Sequence, residues 1–249
     1  MPVTIEKFAI ATELMAKGLL NLRSANLKLC LLNKDYTPDT ENHEKLEDLR
    51  KSLVDGVANN WIVSGSGTNE YYYNQSDLTV KPGAVYENGV AMDEGTLGSL
   101  AAGEWAWGDN DSLGSSKLYV RLDSATADPD GNAAGFVKSS CEVNGGVNYT
   151  AGGAAVGSPT VTRDGYVVTL DGDDVTFTAL DAAIKYGILY YDETLDSAGP
   201  DEIVKPLLAV INFDNTGASS VLNLSEIDFM VPWHADGILV FGPCVEVCE

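Results

Sequence analysis

Apolar side chains recur every three or four positions over the first twenty residues. This spacing predicts one amphipathic helix of about thirteen residues, with Thr4 as its N-cap and Gly18 placed to stop it. The positions on its buried side are Ile5, Phe8, Ala9, Thr12, Met15 and Leu19. A second helical pattern, TENHEKLEDLRKSL, has Thr40 as its cap and leucines on one side. The sequence therefore predicts one or two N-terminal helices.

Between these two patterns, the stretch NLKLCLLN is typical of a buried strand. Leu27, Leu29 and Leu31 alternate with other residues, and Leu32 extends the apolar run. A single strand gains little by folding alone. We therefore expect it to join a sheet formed by later strands, with the first helix packed over one face or edge of that sheet.

From residue 56 to about 140, short aromatic runs alternate with clusters of Gly, Asn and Asp. The runs are WIVSG, EYYYN, GAVYENGVAM, GEWAWGD and SKLYVRL. Asn88-Gly89 is a strong hairpin signal within the third run. Turn-rich stretches, DGVANN and DPDGNAAG, border this part of the chain. The pattern predicts a small all-β unit whose chain enters and leaves at the surface.

Longer apolar runs follow from residue 141 onward. They are TVTRDGYVVTL with an Asp164-Gly165 hairpin signal, DVTFTAL, AIKYGILYYDE, VKPLLAVINF, SSVLNLSEIDFMV and DGILVFG. No helix-length periodic stretch separates these runs, which indicates antiparallel pairing. The predicted fold is mainly β: an antiparallel β-sandwich or barrel with one or two N-terminal helices and an inserted small all-β domain.

The two parts that flank the aromatic module are expected to form one domain. Residues 1–55 and 140–249 then make a discontinuous β framework, and residues 56–139 make an inserted β module. Such an insertion costs little when the inserted part folds with its two ends close together. The stretch CEVNGGVNYTAGGAAV resumes the framework, and its glycines fit positions of positive φ or close backbone approach.

The chain is strongly acidic, with 37 acidic and 15 basic residues and a formal net charge of −22. Nucleic acid and anionic membranes bind to clustered Lys and Arg, so neither partner is expected. Glu6 and Glu13 interrupt the N-terminal apolar stretch, which no basic run precedes, so a signal peptide is not expected. No window approaches the roughly eighteen successive apolar residues of a membrane span.

The sequence contains little that suggests catalysis. The two histidines, His43 and His234, have no accompanying Cys or Ser motif, and a structural role is predicted for both. No glycine-rich phosphate loop occurs. With 37 carboxylates, a glycosidase pair could be nominated anywhere, so the abundance of acids carries no information. We therefore expect no catalytic residues and no cofactor.

Two acidic clusters are candidate metal ligands. Asp128-x-Asp130-x-Asn132 opens like a calcium loop, but Ser139 stands where the bidentate Glu is required. The other cluster consists of Asp171, Asp173 and Asp174. Solvated turns are favoured over metal sites for both clusters.

The cysteines are too few and too scattered for a disulfide scaffold. They are Cys30, Cys141, Cys244 and Cys248. The last two could form half of a zinc site, but an extended strand would hold them too far apart to pair. Plain thiols are expected for all four, and no metal is expected.

Four aromatic residues of the inserted module are the candidate binding residues. Tyr71 and Tyr73 share one face of a predicted strand, and Trp105 and Trp107 share one face of another. Either pair could stack on a sugar or anchor a protein contact. The favoured alternative is that these rings fill the core of a module that has few Leu and Ile residues.

Several ordered motifs resemble a family of small bacteriophage virion structural proteins. They are LKLCLLNKDYTPDTENHEKLEDL, EVNGGVNYTAGG, VTLDGDDVTFTALDAAIKYGILYYDE, PLLAVINF and WHADGILVF. The resemblance covers residues 5–55 and 141–241. The long insert between the YTPD and YTAGG segments departs from the short family members and looks like a module that recurs in phage and prophage surface proteins.

The resemblance implies a virion protein that attaches to the head or the tail. Because no catalytic residues are expected and the chain is strongly acidic, we expect a non-enzymatic protein at the virion surface, assembled in the host cytoplasm. A capsid decoration or head-surface role is favoured, with the framework binding the major capsid protein or other virion proteins and the insert projecting outward. A homo-oligomer is expected, and a trimer fits a local threefold axis. One alternative is a tail- or fibre-associated adhesin that binds host glycan, and a second is a polysaccharide hydrolase.

Overall fold

The computed structural model is mainly β, with one α-helix and several antiparallel sheets among the residues it describes. These are residues 4–24, 26–53, 60–65, 68–123, 128–132, 137–143, 148–196, 202–214, 221–233 and 237–241. The predicted fold class is confirmed, and none of the sheets in these ranges closes into a barrel. The chain divides into two compact units: unit 1 comprises residues 1–48 and 145–249, and unit 2 comprises residues 49–144.

The helix and most of the strands belong to unit 1. Its described elements are β1 (Thr4–Lys7), α1 (Ala9–Ala16), β2 (Leu27–Leu32), β12 (Ala154–Ala155), β13 (Thr160–Asp164), β14 (Val167–Asp171), β15 (Val175–Ile184), β16 (Tyr186–Tyr191), β17 (Thr194–Leu195), β18 (Ile203–Val204), β19 (Leu207–Asn212), β20 (Leu222–Val231) and β21 (Leu239–Phe241). Those of unit 2 are β3 (Arg50–Ser52), β4 (Trp61–Val63), β5 (Tyr71–Tyr73), β6 (Val85–Glu87), β7 (Val90–Ala91), β8 (Asp93–Glu94), β9 (Glu104–Gly108), β10 (Lys117–Arg121) and β11 (Val137–Ser140).

The boundaries of unit 2 lie outside the predicted ones, 55/56 and 139/140. The difference arises because β3 and β11 pair with each other inside unit 2, with Ser140 opposite Arg50. Leu53 also packs into the core of unit 2. Both connecting stretches therefore belong to the inserted unit and not to the framework.

The first helix begins later than predicted. Thr4 is not its cap, because residues 4–7 form β1 and pair with β19 at the edge of a sheet. Phe8 takes the N-cap position with an extended backbone and no side-chain cap. The β-branched residues Thr4 and Ile5 favour a strand where a sheet edge is available, and here that tertiary pairing overrides the helical periodicity.

The end of this helix is as predicted. Gly18 follows the C-cap with a φ of +71°, the left-handed conformation that glycine adopts most readily. Its N–H donates to the carbonyl of Met15 at 3.0 Å, and the N–H of Leu19 donates to the carbonyl of Leu14 at 2.9 Å. These two bonds form a Schellman motif, which satisfies carbonyls at the helix end.

The second predicted helix, over residues 40–53, is wrong. A single 3-10 turn covers Leu46–Leu49, and the chain then extends into β3. Leu49 and Leu53 are buried, as the pattern requires. A turn followed by a strand, and not a helix, buries these two side chains. Just after β3, the backbone N–H of Leu53 donates to the carbonyl of Val137 at 2.8 Å.

A five-stranded sheet organises unit 1. Its order is β1-β19-β16-β2-β12, and all of its pairs are antiparallel. Cys30 of β2 lies opposite Ile188 of β16, so the early strand joins a sheet made by later strands, as predicted. On its other side β2 pairs with β12, where Ala154 is opposite Leu29. The chain thus returns to β2 soon after unit 2 ends.

The central strands of this sheet are buried on both faces. In β2, Leu29 and Leu31 lie on one face and Cys30 and Leu32 on the other, and each is at most 1% exposed. A strand buried on both faces requires a continuous apolar run instead of alternation. This explains the runs LKLCLL in β2, YGILYY in β16 and LLAVIN in β19.

The part of unit 1 that the structure describes also contains three smaller sheets, with the orders β13-β14-β21, β15-β20 and β17-β18. A hairpin joins β13 to β14 as predicted, but its loop is Gly165-Tyr166, because Asp164 pairs with Val167 at the end of β13. The long ribbon β15-β20 is interrupted by bulges near Leu180. Phe229 of this ribbon packs edge-on against Phe213, with ring centroids 5.3 Å apart.

The strands described in unit 2 form two sheets, with the orders β4-β5-β10-β9-β8 and β3-β11-β6-β7. Its pairs are antiparallel except for β8 and β9, which run parallel. The predicted Asn88-Gly89 hairpin joins β6 to β7, and both residues have positive φ. Positive φ at both central positions is the requirement of a type I′ turn, which explains the Asn-Gly pair.

Candidate functional site

The four candidate aromatic residues contribute to the core of unit 2. Tyr71, Tyr73 and Trp105 are 9%, 4% and 2% exposed. Trp107 is half-buried against the same cluster. Each pair shares one face of its strand, as predicted, but that face is turned inward. The rings of Tyr71, Tyr73 and Trp105 therefore cannot stack on a sugar, and the structure gives these side chains the core role.

The opposite face of the same sheet is buried too. Tyr72, Leu100, Ala106 and Tyr119 form a second cluster there. The rings of Tyr72 and Tyr119 have centroids 5.7 Å apart. Burial raises the pKa of Tyr119, whose hydroxyl accepts a hydrogen bond from the backbone N–H of Asn110. Aromatic rings therefore pack on both faces of this sheet, together with aliphatic side chains.

The Asp128-x-Asp130-x-Asn132 segment forms a hydrogen-bonded turn. Asp128 Oδ1 accepts from the backbone N–H of Asp130 at 3.0 Å, and the side-chain amide of Asn132 donates to the carbonyl of Asp128. Asp130 Oδ2 accepts from the backbone N–H of Trp61 at 3.0 Å. The carboxylates therefore cap the 3-10 turn Pro129–Gly131 and attach it to β4.

The second acidic cluster attaches the segment after β20 to the start of β15. Asp174 Oδ1 accepts from the backbone N–H of Trp233, and the indole N–H of Trp233 donates to the carbonyl of Asp173, both at 2.9 Å. Asp173 Oδ2 also accepts from the hydroxyl of Ser158. Asp171 Oδ1 accepts from the backbone N–H of Gly172. These hydrogen bonds give all three acids structural roles.

His43 has the structural role that the sequence predicts. Its Nδ1 lies 2.9 Å from the hydroxyl of Tyr36 in a hydrogen bond. Its backbone N–H donates to the carbonyl of Asp39. The side chain and backbone of Asn42 donate to the Asp39 carboxylate, which lowers the pKa of Asp39. The YTPD-x-x-x-H segment is therefore a locally closed loop. His234 lies outside the described residues.

The NYTAGG segment closes the edge of the main sheet at β2. The hydroxyl of Tyr149 accepts a hydrogen bond from the backbone N–H of Leu31 at 2.9 Å, beyond the point where the short strand β12 ends. The hydroxyl of Tyr190 donates to the carbonyl of Gly152 at 2.7 Å. The hydroxyl of Tyr149 thus satisfies an N–H of β2 that the short strand β12 does not reach, and the hydroxyl of Tyr190 holds the turn at Gly152 against the sheet. The sequence offers no local signal for this role.

We expect the variant Tyr149→Phe to lose about 1–3 kcal/mol of unfolding free energy, because the Leu31 N–H would be left without its acceptor. Amide hydrogen exchange at Leu31 measures the effect at the site. Tyr166→Phe is the matched control, since Tyr166 is 85% exposed. Unchanged exchange at Leu31 in Tyr149→Phe would contradict the predicted role of the hydroxyl.

Asp192 links three segments of unit 1 through two ion pairs. Its side chain is 12% exposed, with Oδ2 2.6 Å from Lys28 Nζ and Oδ1 2.6 Å from Lys205 Nζ. Burial raises the pKa of Asp192, but the hydrogen bonds and charges of Lys205 and Lys28 outweigh burial and hold it below its ordinary value of 3.8. The carboxylate therefore ties β2 to the segments that flank β16 and β19.

We expect Asp192→Asn to lower the unfolding free energy at neutral pH by about 1–3 kcal/mol, because a shielded charged acceptor is removed. A lowered folded pKa means that this stabilisation is present above pH 3.8 and is lost as pH falls through the folded value. Urea unfolding at neutral and acidic pH measures both effects, with the exposed Asp181→Asn as control. If the variant lost the same unfolding free energy at both pH values, the effect would come from packing and not from the charge of Asp192.

Sequence reasoning missed one concave site, which lies in unit 2. A groove of about 510 Å³ is lined by residues of β6, β7 and β8, of the turn before β9 and of the segment just after β10. Its carboxylates are Glu87, Asp93 and Asp123. These residues are far apart in the sequence and belong to ordinary strand and turn patterns, so no local motif marks them.

Cys30 and Cys141 are buried, whereas Cys244 and Cys248 lie outside the described residues. Within the described ranges, no group of three His, Cys, Asp or Glu side chains is arranged to hold a metal ion. No helix in those ranges has the length and apolar character needed to cross a membrane. Comparisons of the chain with family models, curated proteins and solved structures found no match.

Proposed function

We propose that the chain is a non-enzymatic bacteriophage virion structural protein, in the role of a capsid decoration or head-surface protein. Its framework, unit 1, binds the shell and its own copies, and unit 2 projects outward. One observation carries the proposal: the motif residues that resemble the virion family make structural contacts within unit 1. Tyr149 forms a hydrogen bond with the backbone of β2, Trp233 forms hydrogen bonds with Asp173 and Asp174, and His43 forms one with Tyr36.

The charge of the chain supports an outward position. A formal net charge of −22 disfavours a lumen lined by packaged DNA, because like charges repel. The glycan-binding alternative depended on the tyrosine and tryptophan pairs of unit 2. Since Tyr71, Tyr73 and Trp105 are buried and Trp107 is half-buried, no observation on the described residues favours that alternative. Among the described residues, none favours a hydrolase either.

Purified phage particles test this proposal. Mass spectrometry of intact, salt-washed virions is expected to detect the polypeptide at a fixed ratio to the major capsid protein. Cryo-electron microscopy of the same particles is expected to show it on the outer shell, with a trimer at local threefold axes. Recovery of the polypeptide only in the soluble fraction of infected cells would contradict the proposal.

A further inference from the structure

The groove of unit 2 is lined by an edge strand from each of its two sheets, β7 and β8. Val90 and Ala91 of β7 and Asp93 of β8 line it, and β7 and β8 are terminal in their sheets. Each of these strands pairs with one neighbour in the described part of the chain, β7 with β6 and β8 with β9. A terminal strand can accept a further extended chain through backbone hydrogen bonds.

The chemistry of the lining is both acidic and apolar. Glu87 is 9% exposed, and its Oε2 accepts a hydrogen bond from the backbone N–H of Asp123 at 2.8 Å. Asp93 and Asp123 are exposed, and no Lys, Arg or His is among the lining residues that the structure describes. Val90 is 71% exposed and stands beside these acids. A long basic side chain matches both features, because its stem is apolar and its end is charged.

We propose that this groove binds an extended basic segment of a partner protein, with a Lys or Arg side chain directed to the carboxylates of Asp93 and Asp123. The negative charge of the lining carboxylates favours a positively charged ligand. The terminal strands select a polypeptide, since a metal ion or a free amine cannot use their backbone groups. The volume of about 510 Å³ lies within the range of ligand clefts. This inference does not depend on the proposed virion role, so either can fail alone.

The probe is the peptide acetyl-Val-Lys-Val-Lys-Val-amide, titrated into the full-length, nitrogen-15-labelled chain. In an extended conformation, its two lysines lie on one face. We expect chemical-shift changes centred on the backbone amides of Ala91, Ala102 and Gly103. The peptide with glutamine in place of both lysines is expected to cause no such changes.

Two charge-reversed variants provide the matched comparison. Asp93→Lys is expected to weaken peptide binding at least tenfold, whereas Asp181→Lys in unit 1 is expected to change it less than twofold. Asp123→Asn serves as a second, milder variant, with an expected weakening of about threefold. Both groove variants change exposed side chains, and their spectra report directly whether unit 2 remains folded.

Three results would overturn the proposal. The first is an equal loss of binding in Asp93→Lys and Asp181→Lys, which would indicate general attraction to an acidic chain. The second is the same shift changes with the glutamine peptide, which would exclude recognition of the cation. The third is the same changes with spermidine, which would show that no peptide backbone is required.

Discussion

The variant Gly153→Ala is expected to lose more than about 4 kcal/mol of unfolding free energy, enough to prevent unit 1 from folding. Gly153 has a φ of +74°, and a Cβ at this position would overlap the carbonyl oxygen of Leu29 and lie 2.6 Å from Cys30 Cα. Both contacts are backbone atoms of β2, the strand buried on both faces. Neither can move without disturbing its pairing with β16.

Gly18→Ala is the matched control for this variant. Gly18 has nearly the same φ, +71°, but a Cβ there would meet no atom within 4 Å. Its expected loss is therefore only the backbone term of about 1–2 kcal/mol. Hydrogen exchange read separately over unit 1 and unit 2 measures both variants. Similar losses in the two would mean that φ alone, and not contact with β2, requires glycine at position 153.

The variant Trp105→Ala is expected to lose about 3–5 kcal/mol, because a large buried side chain is replaced by a cavity. Trp105 is 2% exposed and packs in the larger core cluster of unit 2. Its neighbours in that cluster include Leu118 and Val120 of the adjacent strand. We expect the loss to be confined to unit 2, since this cluster draws its members from unit 2 alone.

Trp107→Ala provides the comparison on the same strand, and it is expected to lose less, since Trp107 is half-buried. Urea unfolding followed by hydrogen exchange in unit 2 measures both variants. The same pair of variants tests glycan recognition on an array. A glycan signal that Trp105→Ala removes while unit 2 stays fully stable would contradict the core role of this residue.

Strands were more predictable from the sequence than helices, and the physical reason is visible at the N-terminus. The run over residues 27–32 could hardly form anything except a buried strand, because it is apolar at nearly every position. The spacing at Thr4 and over residues 40–53 predicts helix, whereas the structure has β1 at residues 4–7 and β3 at residues 50–52. Residues 4–7 pair with β19 and residues 50–52 pair with β11, so these residues form strands instead of helices. The local sequence does not show that these two strands are available as partners.

The candidate site was predictable only in part. The shared face of Tyr71 and Tyr73 follows from strand periodicity, but which side of a sheet faces inward depends on its partner sheet. The groove joins Glu87, Asp93 and Asp123 through strand order and turn geometry that no single motif encodes. The hydroxyl of Tyr149 acts at Leu31, which is more than a hundred positions away in the chain.

The pairing of β2 with β16 has a consequence for synthesis on the ribosome. All of unit 2 emerges before residues 186–191, the strand that covers one edge of β2, have been made. The nascent chain therefore carries LKLCLL without that neighbour while the whole inserted unit is translated. An unpaired apolar strand of this kind is prone to aggregate. Early folding of unit 2 shortens the effective loop that must close once β16 has been made, and so favours its pairing with β2.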